Sequence, residues 1–172
     1  MGTVHTHWDL VWRERPPEEA AFFNPAFCGE MLFRTVKEYT RVTETAFPLA
    51  ISFIILPLLL HPASRHSLPR KSNTAFSGWS ADHDAILAQI PDRMSRLRSV
   101  TRESLLFLAQ MKVIDISGDG VKLGSNPLKL SAKPQITTKE VDDIRSAAGL
   151  LGRWFASQAK PAMVLQSMGV RI

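Results

Sequence analysis

The chain of 172 residues has the length of one domain that can bury its own core, so neither a metal nor a disulfide is needed to hold it together. Hydrophobic residues make up 45% of it and charged residues 22%, a globular composition that excludes a disordered or fibrous protein. The single cysteine, Cys28, cannot build a disulfide framework and favours a reducing cytoplasm.

The net charge of +5 is concentrated in the middle of the chain. Residues 61–135 contain 11 basic and 6 acidic side chains, whereas the rest of the chain contains 10 of each. A basic segment of this kind can meet nucleic acid, a membrane surface or an acidic protein, or it can simply be a solvated face. The charge alone does not choose among these alternatives.

The first residues lack a positive region followed by an apolar core, so we predict no secretory signal. Residues 1–14 are predicted to be a flexible tail that leads into a single helical domain over 15–172. The most apolar run, 46–60, is shorter than the roughly 20 residues of a bilayer span and contains Pro48 and Pro57. We predict a buried core helix there, or one kinked at Pro57, and no membrane association.

Two segments in the first half of the chain have contrasting patterns. Asn24 and Pro25 are typical of a helix start, and apolar residues at spacings of three and four, from Cys28 to Tyr39, predict a helix over 25–41. Residues 61–80 are polar, basic and interrupted by proline, which predicts a hinge or an exposed loop.

Helical patterning returns after Asp82, which can cap a helix. Pro91 either opens the next helix or kinks this one, and the pattern toward Met111 does not decide between one helix and two. Phe107 is expected in the core.

Residues 113–123 have the strongest strand pattern, with β-branched runs on both sides of a Gly-Asp-Gly turn, and predict a β-hairpin. Helices followed at once by a short hairpin are the layout of a winged helix. The predicted fold class is therefore mainly α with one β-hairpin (α+β), with a winged-helix-like core flanked by additional helices.

The C-terminal part predicts a long helix that begins at a capping box over 137–140. Gly149 and Gly152 on this helix permit close approach by another element. Gly169 is placed where a left-handed helix stop is expected.

The residues that could carry chemistry do not form a recognisable set. Among the five histidines, His5 and His7 give too few ligands for a zinc site, and His83 fits an exposed first helical turn better than a cleft with Asp82 and Asp84. A G-x-S-x-G elbow and a G-x-x-x-x-G-K-[ST] loop are both missing from the sequence. We therefore predict no catalytic residues, no metal, no cofactor and no enzymatic activity.

A basic set spans the helix before the hairpin and the hairpin itself, where cationic side chains could neutralise phosphates. Acidic residues interrupt the set, so contact with an acidic protein and a merely solvated face stay open as alternatives. The candidate nucleic-acid-binding residues are Arg93, Arg96, Arg98, Arg102, Lys112 and Lys122.

Several short motifs, in this order, resemble the middle component of bacterial three-component ABC systems from about residue 15 to the end. They are Arg15-Pro16-Pro17-Glu18-Glu19-Ala20, Asn24-Pro25-Ala26-Phe27-Cys28, Leu56-Pro57-Leu58-Leu59-Leu60-His61, Leu68-Pro69, Thr101-Arg102-Glu103, Gly152-Arg153-Trp154-Phe155 and Met168-Gly169-Val170-Arg171. The resemblance implies a small adaptor that partners an SMC-type ABC ATPase and a larger effector or sensor protein, in defence against phage or other foreign DNA. It supplies no catalytic residue.

We predict that the adaptor docks through an edge formed by the prolines after the tail and by the 61–73 segment. The candidate partner-binding residues are Arg15, Pro16, Pro17, Glu18, Arg65, Arg70 and Lys71. The main alternative is a stand-alone winged-helix DNA-binding regulator that acts as a homodimer. A hydrolase built on His83 is a third.

Overall fold

The computed structural model describes residues 23–118, 120–130, 137–158 and 162–170, with Glu14, Pro17, Ala20 and Lys160 as isolated positions. The fold class predicted from the sequence, mainly α with one antiparallel hairpin, is confirmed. In chain order the elements are α1 (Pro25–Thr43), a 3-10 turn (Leu49–Ile51), α2 (Ser52–Leu59), α3 (Pro62–Ser67), α4 (Phe76–Ala81), α5 (Asp84–Leu87), α6 (Ile90–Gln110), β1 (Ile114–Ser117), β2 (Gly120–Leu123), α7 (Lys139–Ala156) and α8 (Ala162–Ser167).

Helix α1 begins as predicted. The Asn24 side chain accepts a hydrogen bond from the Ala26 amide at 2.8 Å, and Pro25 takes the first turn, where its missing N–H costs nothing. The helix ends at Thr43, and Glu44 after it adopts a left-handed conformation with φ 57°.

Helices α1 and α7 form the most extensive helix pair, and Gly152 sets their separation. A β-carbon at this position would lie 2.3 Å from the Thr35 carbonyl oxygen, so only glycine lets the two backbones approach so closely. The Thr35 hydroxyl donates across the pair to the Ala148 carbonyl at 3.1 Å. The approach at Gly149 is less close, because a β-carbon there would lie 3.4 Å from the flexible end of Arg153 and 3.9 Å from Glu38 Cγ.

Helix α2 is the predicted buried helix. It is apolar on all sides, and Ile54, Ile55 and Leu56 are fully buried. Pro57 is inside the helix, where it removes one backbone hydrogen bond, and it is buried in the core. No helix in the described part of the chain is both long and apolar enough to cross a bilayer.

The prediction of an exposed loop over 61–80 is wrong. Helices α3 and α4 occupy most of this segment, and Pro62 begins α3 rather than breaking it. Phe76 and Trp79 are buried against Trp154 of α7, with ring centroids 5.3 and 5.0 Å from it. The polar composition of the segment concealed these two anchoring aromatics.

Helix α6 is one continuous helix, so Pro91 opens it. Its inner face packs on α1 and α2 and contains Leu97, Val100, Leu105 and Leu108. The expectation that Phe107 is buried is wrong, because its side chain is 38% exposed.

The hairpin has the predicted strands, and a third segment of chain joins it. Ile114 pairs with Leu123, and Ser117 pairs with Gly120 at the turn. Phe47 and Val121 exchange both backbone hydrogen bonds at 2.8 Å, so the chain before α2 borders β2 on its other side. Gly120 has φ +118°, and a β-carbon on it would lie 2.3 Å from the Phe47 carbonyl oxygen.

The start of α7 differs by one residue from the predicted capping box. Thr138, not Thr137, accepts from the amide of Val141, so Glu140 is not at the position that would bond back to the cap. Glu140 instead pairs with Arg65 at 3.3 Å. Gly169 has φ +71° after α8, which confirms the predicted left-handed stop.

Candidate partner-binding and nucleic-acid surfaces

Three of the predicted partner-binding residues, Arg15, Pro16 and Glu18, lie outside the described residues, as does nearly all of the predicted tail. Pro17 is exposed. Residues of the same predicted docking edge in the 61–73 segment are described in full, and they divide into buried and exposed positions.

Arg65 is buried and stabilises the fold. Its side chain is only 4% exposed, and it donates to the Leu59 carbonyl at 2.7 Å and to Glu140 at 3.3 Å. It therefore ties the end of α2 to the start of α7, with its cation near the negative end of a helix. A side chain used in this way does not present a docking surface.

Arg70 and Lys71 are exposed and belong to a turn that α7 holds firmly. The Trp154 indole donates to the Thr74 carbonyl at 2.8 Å, and the Ser157 hydroxyl donates to the Ser72 carbonyl at 2.6 Å. The turn is thus a fixed platform for these two cations rather than a hinge.

Arg93, the first of the predicted nucleic-acid-binding residues, is half-buried and bonded to neighbouring side chains. It donates to the Ser64 hydroxyl at 2.5 Å and to the Gln89 amide oxygen. Burial lowers its pKa, and the nearby charge of Asp92 opposes that effect only in part. The bonded acceptors are neutral, so the charge of Arg93 is not compensated by them.

The remaining cations on α6 are exposed. Arg96 pairs with Asp92 at 3.0 Å, a surface pair of small energetic value. Arg98 and Arg102 form no ion pair with any described residue and lie one turn apart, so they present charge in the same direction.

Two further cations lie at the hairpin, Lys112 just before it and Lys122 on its second strand. Lys112 is exposed and has φ 56° between α6 and β1, and Lys122 is exposed on β2 opposite Asp115. The structure thus brings the candidate basic residues to one helix and the adjoining hairpin, with Arg93 half-buried.

An exposed apolar patch at the end of α6, formed by Leu106, Phe107 and Met111, was not predicted. These side chains are 50%, 38% and 52% exposed. Leu106 follows Arg102 by one helical turn, so these apolar side chains continue the row formed by Arg98 and Arg102. We call them the apolar outer patch. The sequence carried a signal for it, since Leu105, Leu106, Phe107 and Leu108 are four consecutive apolar residues and a helix cannot bury all of them on one face.

An apolar groove lies where the two predicted docking regions meet. Its volume is about 220 Å³, and its walls are mainly apolar. We call it the Pro57 groove; it is lined by Phe23, Leu56, Pro57, Leu60, His61, Arg93, Arg96 and Leu97. His61 belongs to the predicted docking edge and Arg96 to the predicted basic set, so residues of both predicted surfaces line this one groove.

The arginines between α1 and α7 form ion pairs across the two helices, in contrast to Arg98 and Arg102 on α6. Arg145 donates to both carboxylate oxygens of Glu30 at 2.8 and 3.2 Å, and these hydrogen bonds raise its pKa. Burial raises the pKa of Glu38, but hydrogen bonds from Arg41 and Arg153 outweigh it and the pKa ends below its usual value. The pairs of Arg145 with Glu30 and of Arg153 with Glu38 join the two helices, and Glu38, Arg145 and Arg153 line a polar pocket of about 310 Å³.

The residues considered as candidates for catalysis, Cys28 and His83, pack against the fold. Cys28 is buried. His83 stacks on Trp79 at 4.8 Å and makes a hydrogen bond with the Trp79 carbonyl, so it is half-buried rather than in an exposed turn, and α5 begins after it without a cap from Asp82. Among the described residues, no three His, Cys, Asp or Glu side chains gather as a metal site.

Comparison with known proteins gives one match. The model of the family described as ABC-three component (ABC-3C) system Middle Component 3 matches residues 12–172. No curated protein and no solved structure matches the chain.

Proposed function

The chain belongs to the Middle Component 3 family of ABC-three component (ABC-3C) systems, and we propose that it serves there as a non-catalytic adaptor. In this role it binds an SMC-type ABC ATPase and a larger effector or sensor protein in the cytoplasm, and it acts in defence against phage or other foreign DNA. The family match supports membership of a multi-component system, which implies protein partners.

The outer face of α6 is the observation that carries the adaptor proposal. The inner face of this helix is buried in the core, so its geometry is rigid. The outer face combines the cations Arg98 and Arg102 with the apolar outer patch. Apolar side chains next to arginines are typical of protein-binding surfaces, because burial of the former and hydrogen bonds from the latter both stabilise a complex.

Copurification with the ATPase and the larger component of the same system tests the proposal. We expect the wild-type chain to bind at least one of them, and Leu106→Glu to weaken that binding about tenfold or more by placing a charge in an apolar contact. Ser95→Glu adds the same charge at an exposed position of α6 and should leave binding within about twofold. Failure of the wild-type chain to bind either component would overturn the adaptor proposal.

A second candidate, the DNA-binding regulator, is favoured by the order of elements around the hairpin. The pairing of Phe47 with Val121 adds a third strand-like segment beside β2. Helix α6 leads directly into β1, as expected if the hairpin is a wing. Arg98, Arg102 and Lys112 would then meet phosphates.

This second candidate predicts binding to duplex DNA that weakens steeply with salt. Arg98→Ala should reduce affinity about equally for unrelated sequences and lower the salt slope by about one unit. Arg70→Ala, which removes an exposed cation far along the chain from α6, is the matched control. Absence of DNA binding at low salt excludes this function.

A further inference from the structure

The Pro57 groove has the size of a side-chain socket. Its volume of about 220 Å³ is below the roughly 300 Å³ at which pockets for drug-sized ligands begin. A cofactor or nucleotide does not fit, but one or two apolar side chains of a peptide do. Its floor is rigid, because Leu56 is fully buried and Leu97 is 8% exposed.

The rim of the Pro57 groove carries the guanidinium groups of Arg93 and Arg96 beside the imidazole of His61, and none of its eight described lining residues is acidic. Asp92, which precedes Arg93 in the sequence, pairs with Arg96. Arg93 donates hydrogen bonds only to neutral oxygens. The groove therefore has apolar walls in a positive field, which favours an apolar group carried by an anionic chain.

We propose that the Pro57 groove binds an acidic peptide segment of a partner protein, with a Leu or aromatic side chain of that segment in the socket and its carboxylates on His61, Arg93 and Arg96. The inference rests on the proposed adaptor function for the identity of the partner. DNA fits the groove poorly, since phosphates would use the rim but leave the apolar walls exposed.

His61 gives this contact a distinctive pH response. Burial, followed by the charges of Arg93 and Arg65, lowers the pKa of His61, so the free protein resists protonation there. Carboxylates placed beside the ring oppose that effect and raise the pKa on binding. Uptake of a proton on binding means that the complex becomes tighter as the pH falls through the pKa of the bound form.

The direct test uses a labelled peptide with the sequence Asp-Glu-Asp-Leu-Phe-Asp-Glu-Asp and fluorescence anisotropy on the full chain. We expect saturable binding at or below about 1 mM, loss of at least about tenfold with Ala-Ala in place of Leu-Phe, and no binding of a peptide with Lys in place of the acids. Equal binding of the Ala-Ala peptide, or no binding of the parent peptide, would overturn the proposal.

Matched variants locate the site. Arg96→Glu reverses a rim charge and should weaken the peptide about tenfold, whereas Arg98→Glu, exposed on the same helix but outside the groove, should stay within about threefold. A second variant, His61→Gln, should abolish the gain in affinity at lower pH. Equal effects of Arg96→Glu and Arg98→Glu would assign binding to the whole basic face and reject the groove. Unchanged thermal unfolding of each variant shows that the fold is retained.

The same variants separate this inference from the adaptor function. If the ATPase or the larger component binds the wild-type chain and Arg96→Glu equally well, the adaptor function stands and the groove proposal fails. If neither component binds the wild-type chain while the acidic peptide still enters the groove, the groove stands and the adaptor function fails. Self-association of the chain that Arg96→Glu abolishes would identify a second copy as the occupant and overturn the partner proposed here.

Discussion

The α1–α7 pair and helix α6 use arginine in opposite ways. Between α1 and α7, Arg145 and Arg153 pair with Glu30 and Glu38, and Gly152 brings the helix backbones into contact. On α6, Arg98 and Arg102 form no ion pair with any described residue, and they lie beside exposed apolar side chains.

This difference separates the residues that make the fold from those free to bind. A partly buried arginine with two hydrogen bonds to a carboxylate stabilises the native state, whereas an exposed arginine contributes little to it. Substitutions in the first region should therefore lower the stability of the chain, and substitutions in the second should change binding alone. Three measurements, from the largest expected effect to the smallest, test that division.

Gly152→Ala should give the largest effect. The added methyl group would strike the Thr35 carbonyl and push α1 and α7 apart, with an expected loss of about 2–3 kcal/mol in the free energy of unfolding despite the higher helix propensity of alanine. Gly149→Ala is the control and should be neutral or stabilise by up to about 1 kcal/mol. Urea unfolding measures both, and equal effects would show that close approach at Gly152 is unimportant.

Arg145→Met should have a smaller effect. The substitution keeps an apolar stem but removes two hydrogen bonds to Glu30, which retains Arg34 as a partner, so we expect a loss of about 1–2 kcal/mol. Arg98→Met on α6 should change the stability by less than about 0.5 kcal/mol. A comparable loss in Arg98→Met, measured in the same urea titration, would contradict the division between the two regions.

The pH dependence at His61 should be the smallest effect. Because burial, with Arg93 and Arg65, lowers its pKa in the folded state, the unfolded chain binds more protons near and below the ordinary value of about 6.5. The contribution to stability is therefore complete above that value and declines as the pH falls toward the folded-state pKa. His61→Gln should flatten the fall in melting temperature between about pH 7.5 and 5.5, and an unchanged slope would show that His61 does not titrate this way.

Patterns that depend on local chemistry predicted the elements well. The cap at Asn24, the hairpin and the stop at Gly169 follow from hydrogen bonds or backbone angles within a few residues, so the sequence alone contains them. Gly152 was also predicted as a point of close approach.

Contacts between distant residues explain the failures. The 61–80 segment looks like a loop because its stabilising contacts, such as Trp79 with Trp154 and Arg65 with Glu140, join parts of the chain some 75 residues apart. Phe107 was expected in the core because it is aromatic, but the turn of the helix places Leu105 and Leu108 on the buried face and Phe107 outside it.

The candidate surfaces were predictable in composition but not in arrangement. The excess of positive charge in the middle of the chain is visible in the sequence, yet Arg65 is buried and Arg93 half-buried, while Arg98 and Arg102 are exposed. That sorting depends on which carbonyl and hydroxyl groups the fold places near each guanidinium. The winged-helix core, the domain limits and the binding roles remain predictions.

The continuity of α6 has a geometric consequence. The Pro57 groove borders α6 at Arg93, and the hairpin follows its last residue, Gln110. At a rise of about 1.5 Å per residue, these two points are about 25 Å apart along the helix. A continuous helix cannot shorten without breaking its own hydrogen bonds, so the distance between these two regions is fixed. Two macromolecules bound at the two regions would therefore be held at a constant spacing.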